Sequence, residues 1–536
     1  MTGRWWEGGV VYQVYVRSWL DDDGDGFGDL AGVRRKLGYL SWLGVDGLWL
    51  SPTMPSPDRD WGYDVSDYDG VHRELGTLED LDSLVTEASA HGLAVLLDLV
   101  PNHTSTSHPW YVEARRSRDA ARRDWYVWAD PEPGGGPPNN WLDATGASAW
   151  TLSEPTGQYY LHSFLPSQAD LNWRSPAVRE EFEGILRRWF DRGISGVRID
   201  VAHGLYHDRE LRDDPPTVVG TGARFGLERV HSMNQPEVHQ LYREWRKLAE
   251  EHEPPRLLLG ETWVLDVERL AAFYGDDDEL QLGFNFPFVF SKLDATSLAS
   301  LVRSTLAALP DGSCPVWMAS NHDVSRFPTR WAGDDPLRSR LALTILCTLP
   351  GTTVLYYGDE LGLPDVPVPV DAQRDEMTRG SDRFNRDRAR TPMPWTTGAE
   401  YGFCPEGTTP WLPVGRRRGL TVQEEETDPT STLSLTRRLL EVRRSAGAYT
   451  ADAYEQLLAE GAVWAYRSGT LVVAANLGSR HETVELPAGI GGVVVSSFPD
   501  GIVGDRAAAD ARVRRLELGP WEAVVMMDAN EGMPGG

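Results

Sequence analysis

Acid–base and nucleophilic chemistry needs carboxylates and imidazoles held together, and this chain offers them in four short polar blocks. They are Asp98-Leu-Val-Pro-Asn-His103, Gly196-Val-Arg-Ile-Asp200, Glu261-Thr-Trp263 and Asn321-His-Asp323. Asp200 and Glu261 are candidates for the carboxylate pair of glycoside hydrolysis. One such group attacks or activates water, and the other protonates the leaving oxygen. Arg198, two residues before Asp200 in a strand, points to the same side. A guanidinium there lowers a carboxylate's pKa and keeps a nucleophile ionised. Glu261 must instead hold its proton near neutrality, in a drier site or beside another negative charge, and Asp323 is suited to be that charge. His103 and His322 stand next to Asn102 and Asp323 and read as functional. Asp98 is open between organising the site and touching substrate.

Each block closes an apolar run, at 93–97, 193–197, 257–259 and 316–319. Short unbroken aliphatic runs suit strands buried on both faces of a parallel sheet. Polar residues at the ends of such strands converge at one mouth of a barrel, where the active site of that fold lies. The strand-like runs alternate with helix-like ones, beginning with a strand over 10–16, an amphipathic stretch over 30–43 and a strand over 47–50. Helical spacing over 77–91 follows, carried by Leu78, Leu81, Leu84, Val85 and Ala88. The rhythm resumes near 176 and ends in a helix near 433–442. Eight strand candidates favour a (β/α)8 TIM barrel, an α/β fold, over a doubly wound sheet. The latter predicts a Gly-rich dinucleotide turn after the first strand, and none is present. The catalytic barrel is expected over 1–103 and 174–447. The Trp-, Tyr-, Pro- and Gly-rich stretch 104–173 is too long for a plain loop and predicts an inserted lid domain over the barrel mouth after strand 3. Short alternating strands over 448–536 predict a C-terminal antiparallel β-sandwich.

A net charge of −28 argues against nucleic acid, which needs a basic face, and favours a small neutral substrate. No apolar stretch reaches the length of about 20 residues that crosses a bilayer. Cys314, Cys347 and Cys404 form neither a metal spacing nor a disulfide framework. The N-terminus lacks a hydrophobic signal region, so the expected address is the cytoplasm and the expected state a monomer or homodimer.

Together these blocks resemble the signature regions of the α-amylase family, glycoside hydrolase family 13. The likeness extends from Gly47-Leu-Trp-Leu-Ser-Pro52 to Gly358-Asp-Glu360 and Arg390-Thr-Pro-Met393. It implies Asp200 as nucleophile, Glu261 as general acid/base and Asp323 as a third carboxylate gripping sugar hydroxyls, with His103 and His322 bonding the sugar. Within the family, Asp60-Trp-Gly-Tyr63-Asp64, Tyr160-Leu-His-Ser-Phe164 and Gln168-Ala-Asp-Leu-Asn-Trp173 resemble the oligo-1,6-glucosidase and α-glucosidase group. That likeness implies an Asp60–Arg386 pair closing the pocket against the terminal glucose, Tyr63 stacking on the sugar and Phe164 lining the wall. The expected function is an exo-acting, retaining α-glucosidase for short α-1,4 or α-1,6 glucosides, with glucosyl transfer as the alternative. His203 and Gly204 stand where endo-acting amylases carry Lys-His. The Arg-Leu-Asp-Arg-Asp motif of sucrose isomerases is missing. A metal-dependent barrel hydrolase would show a His-x-His pair on the first strand, where Tyr12-Gln-Val-Tyr15 has none.

Asp21-Asp-Asp-Gly-Asp-Gly-Phe-Gly-Asp29 alternates acidic residues around Gly26, the kind of oxygen-rich loop that hard cations prefer. Its ligands to Ca²⁺ would be Asp21, Asp23, Asp25, Asp29 and the Phe27 carbonyl. A solvated acidic turn is the other reading. Resemblance to a family calcium loop at this place favours a structural Ca²⁺; no organic cofactor is expected.

Overall fold

A computed structural model describes residues 4–218, 225–381, 385–415, 419–447, 449–487, 489–500 and 513–528. Positions 448 and 488, 501–512 and 529–536 of the expected C-terminal unit lie outside the described residues. Eight parallel strands form one sheet: β1 (Val10–Val14), β2 (Gly47–Leu50), β3 (Ala94–Leu99), β4 (Gly196–Ile199), β5 (Leu257–Gly260), β6 (Leu282–Gly283), β7 (Val316–Met318) and β8 (Thr352–Tyr356). Their order is β6-β5-β4-β3-β2-β1-β8-β7, and β6 and β7 are its ends. Side-chain alternation shows the sheet curling into a barrel. Val11, Trp49, Leu96, Leu257, Leu282, Met318 and Val354 pack in one interior cluster, so β6 and β7 share a core. Their neighbours Tyr12, Leu48, Val95, Leu258, Trp317 and Leu355 face outward into the core shared with the helices. On β4 the inward position is Arg198, so a charge is carried into the barrel where a chain of aliphatics would end.

The run expected over 193–197 is shifted. Gly193 has φ +97° and follows the helix Pro176–Asp191, a left-handed position that favours glycine, and the strand starts three residues later. The stretch over 30–43 is two helices, Leu30–Arg35 and Leu37–Leu43. Lys36 breaks them at φ −107° and ψ 7°, and its ammonium lies 4.0 Å over the Trp395 ring. The helix Leu78–Ala90 starts in a capping box between Thr77 and Asp80.

After β3 the chain leaves the barrel. His103–Ser105 pairs with Gln168–Asp170, and Trp128–Ala129, Gln158–Leu161 and Trp150–Ser153 make a small antiparallel sheet. The first ribbon straddles the seam drawn at 103/104. At the C-terminal end, five antiparallel strands from Tyr454–Glu460 to Ala523–Asp528 face a pair, Glu482–Pro487 with Val513–Leu518. Val484, Leu486, Leu516 and Leu518 pack on Val463, Val472, Val524 and Met526, which makes the two layers a sandwich.

Candidate active site

Arg198 is fully buried and serves three carboxylates. Its Nη1 donates to Asp98 Oδ1 and to Asp200 Oδ1, both at 2.7 Å, and its Nη2 lies 2.9 Å from Glu261 Oε2. Asp98 is saturated otherwise, accepting from Trp49 Nε1 at 3.0 Å and Tyr63 Oη at 2.9 Å on its second oxygen. It therefore organises the barrel mouth and leaves the substrate space to others. Asp200 follows β4, its N–H donating to Leu99 O at 2.8 Å, and Glu261 follows β5, its N–H donating to Ile199 O at 2.9 Å.

One guanidinium cannot neutralise three buried carboxylates, so like charge works against their ionisation. Burial pushes Asp98 up to about 6 against the pull of Arg198. Burial also pushes Asp200 up, followed by the charges of Glu261, Asp98 and Asp323, with Arg198 opposing. This reverses the expectation that Arg198 would leave Asp200 with a lowered pKa. Desolvation and like charge outweigh one shared cation.

Asp323, expected as the charge beside Glu261, lines the same cavity and has cationic partners of its own. Asp323 sits in a turn that Asn321 Oδ1 closes by accepting its N–H at 2.9 Å. Its Oδ1 accepts from Arg386 at 3.0 Å and Arg390 at 3.1 Å. Against the upward push of burial, His322 and these two arginines hold Asp323 well below the usual carboxylate range.

Arg386 also donates to Asp60 Oδ1 at 2.8 Å and to Asp375 at 2.6 Å. Asp60 lies on a tight turn that Asp64 holds, accepting the Asp60 N–H at 3.1 Å and the Ser56 hydroxyl at 2.6 Å. Tyr63, at the end of that turn, stacks on His322 with centroids 5.1 Å apart and planes 3° from parallel. Gln13 donates to His322 Nδ1 at 2.8 Å, and burial lowers the pKa of this ring and of His103, so both are neutral. His103 Nε2 donates to Tyr63 O at 3.0 Å, and its ring faces Phe164 at 5.2 Å. Asp60, Tyr63, His103, Phe164, Asp200, Glu261, Asp323 and Arg386 all line one cavity of about 950 Å³, with Arg198 and His322 behind its wall. A smaller cavity of about 580 Å³ lies between the lid and the segment after β4; its Asp208 is clamped by Arg212 at 2.7 Å.

The acidic loop after β1 brings one carboxylate oxygen each of Asp21, Asp23 and Asp29 within 4.8 Å of one another. Asp25 is outside that group, its Oδ1 accepting the Phe27 N–H at 2.8 Å. Burial, then the backbone and neighbouring carboxylates, governs Asp21 and Asp29, and the net push is upward. Three converging acidic oxygens fit a hard cation. Asp58, His72 and Glu74 also converge, but Arg17 supplies their cation, 2.6 Å from Asp58 and 3.0 Å from Glu74.

The family model described as "Alpha amylase, catalytic domain" matches residues 13–452. A "probable alpha-glucosidase" of Rhizobium meliloti (strain 1021) is 38% identical, covering 90% of this chain and 91% of the relative. An oligo-1,6-glucosidase of Heyndrickxia coagulans is 34% identical, covering 90% of this chain and 94% of its own. The chain belongs to the α-amylase family. It is a glycoside hydrolase with the α/β barrel of that family. Among solved structures, the alpha-glucosyl transfer enzyme XgtA superposes with a TM-score of 0.90 at 35% identity, covering 98% of this chain and all of its own. The trehalulose synthase MutB reaches 0.88 at 30% identity over the same shares.

In this α-amylase-family chain, reading by motif missed several neighbours of the site. Asp375 lies in a stretch with no periodic pattern, so nothing signalled it. Arg390 and Gln168 stand inside the quoted motifs; Gln168 donates to Asp60 Oδ2 at 3.1 Å. Trp263, two residues past Glu261, lines the same cavity.

Proposed function

We propose that this chain is an exo-acting, retaining α-glucosidase that releases non-reducing terminal α-glucose from short α-1,4 or α-1,6 glucosides. The observation that carries the reading is the Asp60–Arg386 ion pair at 2.8 Å, set in the same cavity as Asp200 and Glu261. A pocket shut behind the glucose admits a chain end and excludes the middle of a polymer. Asp200 attacks the anomeric carbon while Glu261 donates its proton to the leaving oxygen; Glu261 then takes a proton from water as the glucosyl ester opens. Asp200 and Glu261 share the Arg198 guanidinium, which suits the carboxyl separation of about 5–5.5 Å in retaining enzymes. Asp323, held ionised by Arg386 and Arg390, accepts hydrogen bonds from sugar hydroxyls and stabilises positive charge on the ring. Neutral His103 and His322 support the same sugar, with Tyr63 against its face and Phe164 on the wall.

A second reading, glucosyl transfer, uses the same intermediate with an alcohol in place of water. The neighbours described as a glucosyl transfer enzyme and a trehalulose synthase favour keeping it. Proton NMR over time with maltose, isomaltose, sucrose and trehalose tests both. Early α-glucose alone supports the hydrolase, new glucosides the transferase, and no reaction with any of them removes both.

Asp21, Asp23 and Asp29 would hold Ca²⁺, with Asp25 and the Phe27 carbonyl as further ligands. The ion would brace the turn between β1 and the first helix and take no part in the chemistry. Among the described residues no helix is long and apolar enough to cross a membrane. A cytoplasmic monomer or homodimer remains our expectation.

A further inference from the structure

Away from the barrel mouth, the stretch 115–123 carries five arginines against one acid, Asp119, in a chain whose net charge is −28. Arg118 and Arg123 of that stretch line the cavity of about 580 Å³ between the lid and the segment after β4, together with Arg174 and Arg209. Small-molecule sites span about 300–1,000 Å³, so this cleft has room for a ligand of its own. Arg118 and Arg123 meet at Thr156, the first donating to its carbonyl at 3.0 Å and the second to its hydroxyl at 3.2 Å.

The charges of the lining do not cancel. Arg212 holds Asp208, donating to its two oxygens at 2.7 and 3.0 Å. Arg118 pairs with Asp130 at 2.9 Å and Arg174 with Glu237 at 2.8 Å. Arg123 and the exposed Arg209 have no ion-pair partner among the described residues. Arg123 donates to neutral acceptors, the Ala114 carbonyl, Thr156 Oγ1 and Gln158 Oε1. Burial, then the like charge of Arg118, lowers its pKa to about 10, so it stays a cation near neutrality. Against these two cations the described lining sets one further acid, Asp124, which accepts from the Ser175 hydroxyl at 3.1 Å.

The aromatic rings of the cleft are covered. The Arg123 guanidinium lies 3.4 Å over the Trp128 ring, which also stacks on Tyr111 at 5.9 Å. Arg174 lies 5.4 Å over Tyr206, and Trp173 is buried against Phe182 and Trp245. A sugar or an apolar ring would need those faces. What remains for a ligand is positive charge and a donor, the Trp128 indole N–H, which has no acceptor. Planar guanidinium forks match the oxygens of phosphate two at a time.

We propose that this cleft is a second binding site, taking a small phosphate-bearing anion held by Arg123, Arg118 and Arg209. The site bridges the lid and the segment after β4, whose Val201 and His203 line the catalytic cavity. An anion seated there ties the two together and stabilises the folded chain without occupying the place of the substrate.

Calorimetric titration of the whole protein with inorganic phosphate tests this, near neutral pH, at constant ionic strength and without calcium. One saturable site is expected, with chloride giving none. Glycerol phosphate runs in parallel: tighter binding of the ester identifies a phosphorylated metabolite as the ligand, and tighter binding of phosphate identifies the free ion. Arg123→Gln should weaken binding by about tenfold or more, the loss of a charge-assisted hydrogen bond. Arg209→Gln, at an exposed side chain without a partner, keeps the fold and should weaken it a few-fold. Saturating phosphate should leave KM for p-nitrophenyl α-glucoside unchanged. No saturable binding, equal binding of chloride, an affinity unchanged in both variants, or competitive inhibition of glucoside hydrolysis overturns the proposal.

Discussion

The N–H of Val201 donates to Glu261 Oε2 at 3.0 Å, and Val201 does this from a left-handed backbone with φ +47°. For a β-branched residue that conformation costs about 1–2 kcal/mol or more. It reverses the chain just past Asp200, and the next amide, Ala202 N–H, donates to the Glu261 carbonyl at 3.0 Å. With Arg198 Nη2 also 2.9 Å from Oε2, that oxygen is held between a backbone donor and a guanidinium. Strain held beside a reacting group is a positioning device. Val201→Gly relieves the strain but removes a buried side chain worth about 1.5 kcal/mol or more. We therefore expect a melting temperature within a few degrees of the parent and kcat/KM lower by about tenfold. Unchanged kinetics would reduce the turn to a structural curiosity.

Arg198→Lys keeps the charge but replaces a planar fork by a point donor, which cannot reach three carboxylates at once. Asp200 is pushed up by burial and by Glu261, Asp98 and Asp323, and Arg198 is what opposes them. Weakening that opposition raises the group further, so the proposed nucleophile ionises only at higher pH. The acidic limb of the kcat/KM profile should move to higher pH, with the maximum lower by about 10²-fold. A limb that stays in place while the maximum falls would detach Arg198 from Asp200 ionisation.

Strand ends were readable because an apolar run followed by a polar block has few other meanings. Asp200, Glu261 and Asp323 stand after β4, β5 and β7 for that reason. Ion-pair partners were not readable, because they depend on which loops meet in space. Asp323 finds Arg386 and Arg390 at sequence separations of 63 and 67, across a stretch with no helical or strand period. The role of Asp98 stayed open for the same cause; Trp49 and Tyr63 reach it from separate elements. The shift of β4 to Gly196 reflects the left-handed Gly193 that follows the helix Pro176–Asp191, a local backbone matter that an aliphatic run does not reveal.

Far from the cavity, Glu425 is buried, which pushes its carboxyl from an ordinary 4.5 up to about 8. A group whose folded pKa exceeds its unfolded one contributes stability below the unfolded value and loses it as pH rises through the folded value. The window is thus about pH 4.5 to 8. Glu425→Gln can still accept the Leu433 N–H that Glu425 Oε2 accepts at 2.8 Å. The variant should melt like the parent near pH 4.5 and above it by several degrees at pH 8 and higher. A difference that does not depend on pH would show that Glu425 is already ionised in the folded protein.

The calcium proposed for the Asp21 loop makes a prediction of a different kind, because an ion bound only by the folded chain stabilises it by mass action. At a hundredfold excess over the dissociation constant the gain is about 2.7 kcal/mol, worth a few degrees in a chain of this size. A chelator should lower the melting temperature by that amount, and added Ca²⁺ should restore it. Asp23→Asn should be insensitive to both; its Oδ1 accepts one local N–H, from Asp25 at 3.1 Å, so the loop itself survives the change. Asp21 and Asp29 are pushed upward by burial, so their protons compete with the ion. The chelator effect should therefore shrink as pH falls toward 4. A melting curve indifferent to chelator at pH 7 would return the loop to a hydrogen-bonded acidic turn, in which Asp21 accepts from Gly24 at 2.6 Å and Gly26 at 2.9 Å and needs no metal.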